Sequence, residues 1–433
     1  MDPVRMPLPT KLKSSLRALT HRNYRLFFTG QAISLIGTWM TRLASSWLVY
    51  RLTNDPLMLG IVSFASLVPA FLLAPFAGVL VDQSRNLRRL IMWTQLFAMV
   101  QSFGLAAASA APFSPHVIVM LLIALNVVQG TINAFAMPAR QAFLPRMIPD
   151  PRNLANGIAL NSTLFNSARL IGPAIAGVLI SLVGETWCFL IDAVSFIAVL
   201  WALWVMILPT EPRRVGRRPP MLRSLAEGFR YAYDFEPIRA VLILVAVLSF
   251  MGMPYTVLLP VYAKTILRGG ADTLGLLTSA AGLGAVVAAL RLAGRESIAG
   301  IGKLIVVAGV LFAGSLIAFA YSRYLPLSLA LLLVIGFGML SQSTSCNTIL
   351  QTLVEPDKRG RVMSLYSSAF VGMAPFGSLF SGYLARIIGT PDTLALCGAC
   401  CGLSTAFFAW KLPRVRLAAA ARMGSPDMVS VVP

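Results

Sequence analysis

Residues 58–89 read MLGIVSFASLVPAFLLAPFAGVLVDQSRNLRR. The first part, 58–80, holds no charged residue, and it is long enough to cross the hydrocarbon core of a bilayer as a helix, which takes roughly 20 residues. The remainder, 81–89, holds one acid and three bases. Because the apolar run is continuous, it does not fit the alternating pattern of a membrane β-strand. This segment predicts a membrane helix that ends in a charged loop.

The composition of the whole chain favours the same class of protein. Of 433 residues, 57% are hydrophobic and 12% are charged, whereas an ordinary soluble domain carries about 25% charged residues. A mean hydropathy of +0.76 excludes a soluble enzyme and a disordered chain. At roughly 20 residues per span, the apolar residues would fill about twelve spans.

Apolar runs of span length recur from end to end. We predict an all-α membrane protein with twelve transmembrane helices, over 26–49, 58–80, 90–111, 116–138, 154–183, 187–208, 238–262, 273–293, 304–321, 327–350, 362–388 and 393–411. The first 25 residues hold six bases and precede the first span without an apolar run. No cleavable signal peptide is expected there.

The basic residues predict the orientation. Alternate links hold 29 of the 36 bases, namely 1–25, 82–89, 139–153, 209–239, 291–303, 358–361 and 411–433. By the positive-inside rule these links face the cytoplasm, so both termini are cytoplasmic. The net charge of +20 is therefore interpreted as an orientation signal, and no nucleic-acid partner is expected.

The two halves of the chain resemble each other. Leu-Gly opens the second span at 59–60 and the eighth at 274–275, and the fifth and eleventh spans each hold a central proline, Pro173 and Pro375. This repeat predicts two pseudo-symmetric six-helix bundles with a substrate site between them. The predicted units are a cytoplasmic segment 1–25, a bundle 26–208, a linker 209–237, a bundle 238–411 and a cytoplasmic tail 412–433.

The linker between the halves changes character along its length. It begins rich in Pro and Arg, and then places Leu222, Leu225, Phe229 and Tyr233 at helical spacing. This pattern predicts an amphipathic helix on the inner leaflet. A basic tether beside a membrane is favoured over a nucleic-acid site.

The loop after the second span carries a recognisable motif. Gly78, Asp82, Arg85, Arg88 and Arg89 stand in a pattern that resembles the Gly-x-Leu-x-Asp-Arg-x-Gly-Arg-Lys signature of the major facilitator superfamily, with departures at Gln83 and Arg85. The resemblance implies a conformational latch, in which Asp82 pairs with an Arg of the other half in the outward-facing state. The alternative is a solvated loop charge, worth under about 1 kcal/mol.

The fifth span carries a second motif. Gly172, Pro173 and Gly177 resemble the Gly-Pro antiporter motif of the superfamily, although Ala168 and Ala176 replace two glycines. They are expected to kink this span and let it pack closely. Together with segments such as LRALTHRNYRLFFTGQAISLIGTWM, the motif resembles the branch that contains the enterobactin exporter and macrolide efflux proteins. The resemblance implies proton-driven export.

Three charged residues lie inside predicted spans, and each costs about 2.5–3.5 kcal/mol at mid-bilayer. Arg42 and Arg169 are candidates for substrate binding or gating, and Asp192 is the candidate proton carrier, since it is the only carboxylate within a span. Arg42 and Asp192 lie at similar depth in their predicted spans, so they could form an ion pair. The alternative to a role in transport is that such a pair only stabilises the first half of the protein.

Polar residues of spans one, four, seven and ten complete the predicted site, because these spans line the cavity in the resembling fold. The candidates are Asn126, Gln129, Asn133, Tyr255, Gln342 and Asn347. The alternative to substrate binding, which we expect for about half of these residues, is packing between helices.

These features predict a secondary transporter of a bacterial inner membrane. We expect export of a medium-sized amphipathic molecule, siderophore-like or drug-like, by alternating access and proton antiport. We expect a monomer in the lipid bilayer that needs no cofactor or metal and has no enzymatic activity. The alternatives are a lysophospholipid transporter of the same fold and a non-transporting receptor or scaffold.

Overall fold

The computed structural model describes residues 16–84, 86–207, 230–295, 300–355 and 358–423, and these ranges are helical with short links. The long helices are α1 Arg22–Thr53, α2 Pro56–Gln83, α3 Leu87–Ala110, α4 Pro115–Met147, α5 Pro151–Val183, α6 Glu185–Val205, α7 Glu236–Ile266, α8 Ala271–Ala293, α9 Ile301–Ala320, α10 Leu325–Leu353, α11 Arg359–Ile388 and α12 Thr390–Met423.

Eleven of these helices, α2 to α12, are long and apolar enough to cross a membrane. The first helix is long enough to cross as well, but Arg42 and several hydroxyl and amide side chains dilute its apolar character. Most helices extend past the predicted apolar runs because polar turns continue them at their ends. The helix α12 reaches Met423, well beyond the predicted end of its span at 411.

Local chemistry decides where several helices start. Asp55 accepts a hydrogen bond from the Leu57 amide at 2.9 Å, and a proline follows it in the first turn. Asp150 caps α5 in the same way, with 3.0 Å to the Arg152 amide. Such caps satisfy amides that have no partner within the helix.

Two glycines separate consecutive helices at matching places in the two halves. Gly184 joins α5 to α6 and Gly389 joins α11 to α12, both with φ of +88°. Side chains other than glycine rarely adopt this conformation. The matching turns extend the internal repeat from sequence to backbone geometry.

The helix α7 is irregular. It contains π-helical turns at Leu248–Gly252 and Tyr262–Ile266, and Pro254 and Pro260 lie between them. Proline has no amide hydrogen to donate, so the regular hydrogen-bond ladder is interrupted. Wide turns of this kind occur frequently at functional sites.

The helices pack as two sets with the same order of neighbours. In the first set α1 packs on α5 and α6, α2 on α4, and α3 on α4 and α6. In the second set α7 packs on α11 and α12, α8 on α10, and α9 on α10 and α12. The sets meet through the crossings α2–α11 and α5–α8.

Glycines make these two crossings close. A Cβ atom added to Gly60 would lie 2.7 Å from the Ser378 carbonyl oxygen, and one added to Gly275 would lie 2.7 Å from the Pro173 carbonyl oxygen. These are the glycines of the repeated Leu-Gly pairs. The repeat therefore marks the contact between the two helix sets.

Part of the predicted organisation falls outside the described residues. Most of the predicted linker helix in 209–237, the segment 1–15 and the end of the tail lie there. In the loop motif, Arg85 and the side chain of Asp82 also lie outside the described part of the chain.

Candidate substrate site

Two arginines approach one tryptophan between the helix sets. The Cζ atom of Arg42 lies 4.8 Å from the centre of the Trp39 ring, and that of Arg169 lies 5.9 Å from it. Phe165 packs against the same indole edge to face, with ring centres 5.7 Å apart. The site therefore combines an aromatic surface from α1 and α5 with two positive charges.

Neither guanidinium forms an ion pair with any residue that the structure describes. A cation–π contact contributes about 0.5–2 kcal/mol, which falls short of the roughly 2.5–3.5 kcal/mol that an arginine costs at mid-bilayer. The side chain of Arg42 is exposed and that of Arg169 is half-buried. Water or an anionic ligand is therefore needed to stabilise both charges.

The second helix set contributes Tyr255 of α7. Its side chain is completely buried, and Arg169 is close enough to act on its hydroxyl electrostatically. Arg169 of the first set and Tyr255 of the second set therefore meet at the boundary between the two sets.

The Gly-Pro motif of α5 positions Arg169. A Cβ atom on Gly172 would lie 2.6 Å from the Trp39 Cβ, so this glycine lets α5 approach α1. Pro173 cannot donate to the Arg169 carbonyl, and Ser279 of α8 donates to the neighbouring Leu170 carbonyl at 2.9 Å. Gly177 faces Gly275 of α8. The motif therefore connects α1, α5 and α8.

The amides of α4 form hydrogen bonds within the first helix set. Asn126 donates to Ser45 of α1 at 3.3 Å and to the Leu122 carbonyl at 2.8 Å. Gln129 donates to Asn133 at 3.2 Å. Of these, Asn126 joins two helices and serves packing.

The amides of α10 are placed away from the arginines. Gln342 is buried and donates to Thr405 of α12 at 3.3 Å. Asn347 accepts from Gln351 at 2.5 Å, one turn further along. The structure therefore brings Arg42, Arg169 and Tyr255 together, and it directs Gln342 into the packing of the second set.

Asp192 of α6 is buried among hydroxyl groups. Ser102 of α3 donates to Oδ2 at 2.8 Å, and Thr38 of α1 lies 3.4 Å from Oδ1. Its side chain is 2% exposed. Arg42, on the same helix as Thr38, points instead towards Trp39, so the Arg42–Asp192 ion pair is not formed.

Charged and polar residues at helix ends and in the α1–α2 link tie the two sets together at one end. Lys264 of α7 donates to Asn54 at 2.7 Å, and Arg386 of α11 lies 3.6 Å from Asp55. The Tyr50 hydroxyl is 2.9 Å from that of Thr265. These contacts close the end of the bundle where α1 meets α2.

Rare charges at this end of the bundle are a sequence signal for the closure. The links at this end hold few charges, and several of those charges are paired. Besides Lys264 and Arg386, Arg51 forms an ion pair with Glu185 at 2.7 Å. A rare charge in an otherwise neutral link is a candidate for a specific contact.

The predicted latch lies at the opposite end of the bundle. Gly78 has no neighbour within 4 Å of an added Cβ. Arg88 donates to the carbonyls of Trp204 and Met206, which belong to its own helix set. In this conformation the described part of the motif makes no hydrogen bond or ion pair across the two sets.

A helical membrane protein with a charged site between two pseudo-symmetric helix sets has the architecture of a membrane transporter. The family model described as "Transmembrane secretion effector" matches residues 13–430. The chain belongs to this family, within the drug and siderophore exporter branch of the major facilitator superfamily. It is a multi-pass bacterial membrane protein, and the proteins it resembles are transporters rather than enzymes.

Curated relatives cover most of the chain. The Staphyloferrin A transporter of Staphylococcus aureus is 27% identical, over 86% of this chain and 92% of its own. The multidrug efflux pump Tap of Mycolicibacterium fortuitum is 26% identical, over 82% and 88%. The macrolide efflux protein A of Streptococcus pyogenes is 23% identical, over 87% and 94%.

Among solved structures, the chain is similar to a bacterial homologue of the iron transporter ferroportin in an inward-facing state. The TM-score is 0.69 at 15% identity, covering 90% of this chain and 98% of that one. The likeness supports the major facilitator fold.

Proposed function

We propose that the protein exports a medium-sized amphipathic small molecule, siderophore-like or drug-like, that carries an anionic group. The observation that carries this proposal is the convergence on Trp39 of Arg42 and Arg169, neither of which forms an ion pair with a described residue. The guanidinium groups supply charge-assisted hydrogen bonds to a carboxylate or similar anion, and the indole supplies an apolar surface. The similarity to the Staphyloferrin A transporter and to the multidrug and macrolide efflux proteins supports this class of substrate.

Export proceeds by alternating access between two six-helix units, 26–208 and 238–411, with all twelve helices crossing the membrane. The basic links place both termini in the cytoplasm. The end closed by Lys264 and Arg386 is then the external one, so this conformation is ready to receive substrate from the cytoplasm. Closing the inner end requires the 78–89 loop to reach the second unit.

The proton gradient drives transport through Asp192. Its neighbours Ser102 and Thr38 are hydroxyls, which donate to a carboxylate and accept from a carboxylic acid, so both protonation states are accommodated. Thr38 precedes Trp39 on α1. Protonation of Asp192 therefore acts on the helix that carries the substrate site.

The test is transport by the full-length chain in proteoliposomes with an imposed pH gradient. The screen covers siderophores, macrolides and lysophospholipids, alongside Arg169→Ala and the matched variant Arg323→Gln, whose side chain lies exposed in the α9–α10 link. We expect gradient-dependent movement of an anionic amphipathic compound, lost in Arg169→Ala and kept in Arg323→Gln. Movement of lysophospholipids alone would overturn the substrate class, and no movement of any compound would favour a receptor.

A further inference from the structure

A groove opens between α3 and α6, on the side of the first helix set away from the second. It encloses about 710 Å³, and it starts at the N-terminus of α3, where Arg88 and Arg89 lie. Its walls are mainly apolar and include Trp93, Trp201 and Trp204. The groove lies at one end of the bundle and is separate from the Arg42–Arg169 site.

The three tryptophans of the groove are unusually exposed. Trp93 is 51% exposed, Trp201 57% and Trp204 70%. Such large apolar surfaces are covered by lipid in a membrane helix, and tryptophan is enriched at the level of the lipid headgroups. Exposed tryptophans beside arginines are the pattern expected where a helix passes from headgroups to acyl chains.

The mouth of the groove is positively charged. Arg88 is held in place because it donates to the Trp204 carbonyl at 2.6 Å and to the Met206 carbonyl at 3.0 Å. The neighbouring side chain of Arg89 is exposed and forms no ion pair within the described residues. None of the described residues that line the groove is acidic.

We propose that this groove binds an anionic phospholipid of the inner leaflet. Its phosphate contacts Arg89 and Arg88, and its acyl chains lie along Trp93, Trp201 and Trp204. The charge of the mouth complements the headgroup, and the apolar walls complement the chains. The proposal depends on the cytoplasmic orientation of this end and not on the identity of the exported substrate.

The charge of the groove disfavours the linker that follows α6 as its occupant. Residues 208–229 hold five arginines and two glutamates. A net positive segment does not complement the two arginines at the mouth. An anionic lipid satisfies both the charge and the membrane depth of the site.

Tryptophan fluorescence tests this proposal. The full-length chain is placed in nanodiscs that contain either brominated phosphatidylglycerol or brominated phosphatidylcholine at equal mole fraction. Bromine quenches nearby indoles, and we expect stronger quenching by the anionic lipid. Replacing the three groove tryptophans by phenylalanine should remove this difference, because the other four tryptophans lie outside the groove.

Charge variants separate this site from general attraction to an anionic surface. Arg89→Gln should weaken the preference for phosphatidylglycerol about fivefold, since one basic residue at an anionic surface is worth about 1 kcal/mol. The matched control is Arg25→Gln. Arg25 is exposed near the start of α1 and lies outside the groove, so its loss removes the same charge and should keep the preference. If Arg89→Gln misfolds, Arg89→Lys keeps the charge and should retain binding.

Three results would overturn the proposal. The first is equal quenching of the native chain by both lipids, which would also be seen if the linker filled the groove. The second is an equal loss in Arg89→Gln and Arg25→Gln. The third is full competition by soluble glycerol phosphate, which would show a site for a free phosphate and not for a lipid.

Discussion

At the scale of residues, two arginines give the candidate substrate site its charge. Arg42 and Arg169 share Trp39, and no acid among the described residues neutralises them. Each guanidinium is worth about 1.5–3 kcal/mol in a hydrogen bond to a charged partner. That range is large enough to select an anionic substrate over a neutral one.

Replacing Arg169 or Arg42 by alanine should therefore raise the KM for an anionic substrate by about 10- to 100-fold, since 1.4 kcal/mol corresponds to a factor of ten. The initial rate of uptake into inverted vesicles at several substrate concentrations measures this effect. Arg323→Gln, outside the site, should leave KM unchanged. An unaltered KM in both alanine variants would show that the pair serves only packing.

Asp192→Asn should uncouple transport from the proton gradient. Asparagine keeps the shape of the side chain and its hydrogen bond from Ser102, but it does not titrate. We expect substrate exchange at the native rate, with no response when a pH gradient is imposed. The control Asp392→Asn changes an exposed carboxylate that hydrogen-bonds to Tyr321 at 3.1 Å and should leave the response intact. Gradient-driven accumulation by Asp192→Asn would place the coupling elsewhere.

The sequence identifies these three residues but not their partners. A charge in an apolar helix is visible because of its cost, so Arg42, Arg169 and Asp192 stand out. The rotation of each helix decides which neighbour they meet, and this directs Asp192 to Ser102 and leaves Arg42 beside Trp39. In the same way, the rotation of α10 places Gln342 against Thr405. No pattern along the sequence of α10 predicts this contact.

At the scale of helices, close glycine crossings pack the two helix sets together at the end of the bundle where α1 meets α2. Gly177 and Gly275 face each other where α5 meets α8, and Gly60 and Gly382 do so where α2 meets α11. Small residues let membrane helices approach closely, and packing there replaces the hydrophobic effect. The two crossings are related by the internal repeat.

A bulky side chain at one crossing should therefore open the external end. Gly275→Leu brings atoms into the Pro173 carbonyl, because even a Cβ there would lie 2.7 Å away. Spin labels in the α3–α4 and α9–α10 links should move apart, as measured by double electron–electron resonance. The matched control Gly314→Leu points into open space and should leave the distance unchanged.

The polar contacts at the same end should have a smaller effect. Lys264→Met removes the exposed contacts of Lys264 with Asn54 and the Arg51 carbonyl, and Arg386→Met removes the ion pair with Asp55. Such exposed contacts each contribute under about 1 kcal/mol. We expect the double variant to increase the outward-open fraction a few-fold in the same distance measurement. An effect larger than that of Gly275→Leu would mean that charge, and not helix packing, closes this end.

For the whole molecule, most of the architecture follows from the sequence, and the exceptions have physical reasons. The apolar runs predict the order of the helices, and the Leu-Gly repeats mark the contacts between the sets. The helix α1 is the least apolar of the long helices because it carries four arginines, of which Arg42 lies within the predicted span beside the candidate site. The length of α12 is not predicted, because a polar helical extension has no apolar signal.

The orientation of the chain is the prediction on which the direction of transport depends. Single cysteines at Ser84, in the loop after α2, and at Ser114, before α4, test it in a cysteine-free chain. Ser114 caps its helix without a side-chain hydrogen bond, so the substitution should be tolerated. In intact cells a membrane-impermeant maleimide should label position 114, and it should reach position 84 only after permeabilisation. The reverse pattern would place the basic links outside, and the closed end of this structure would then face the cytoplasm.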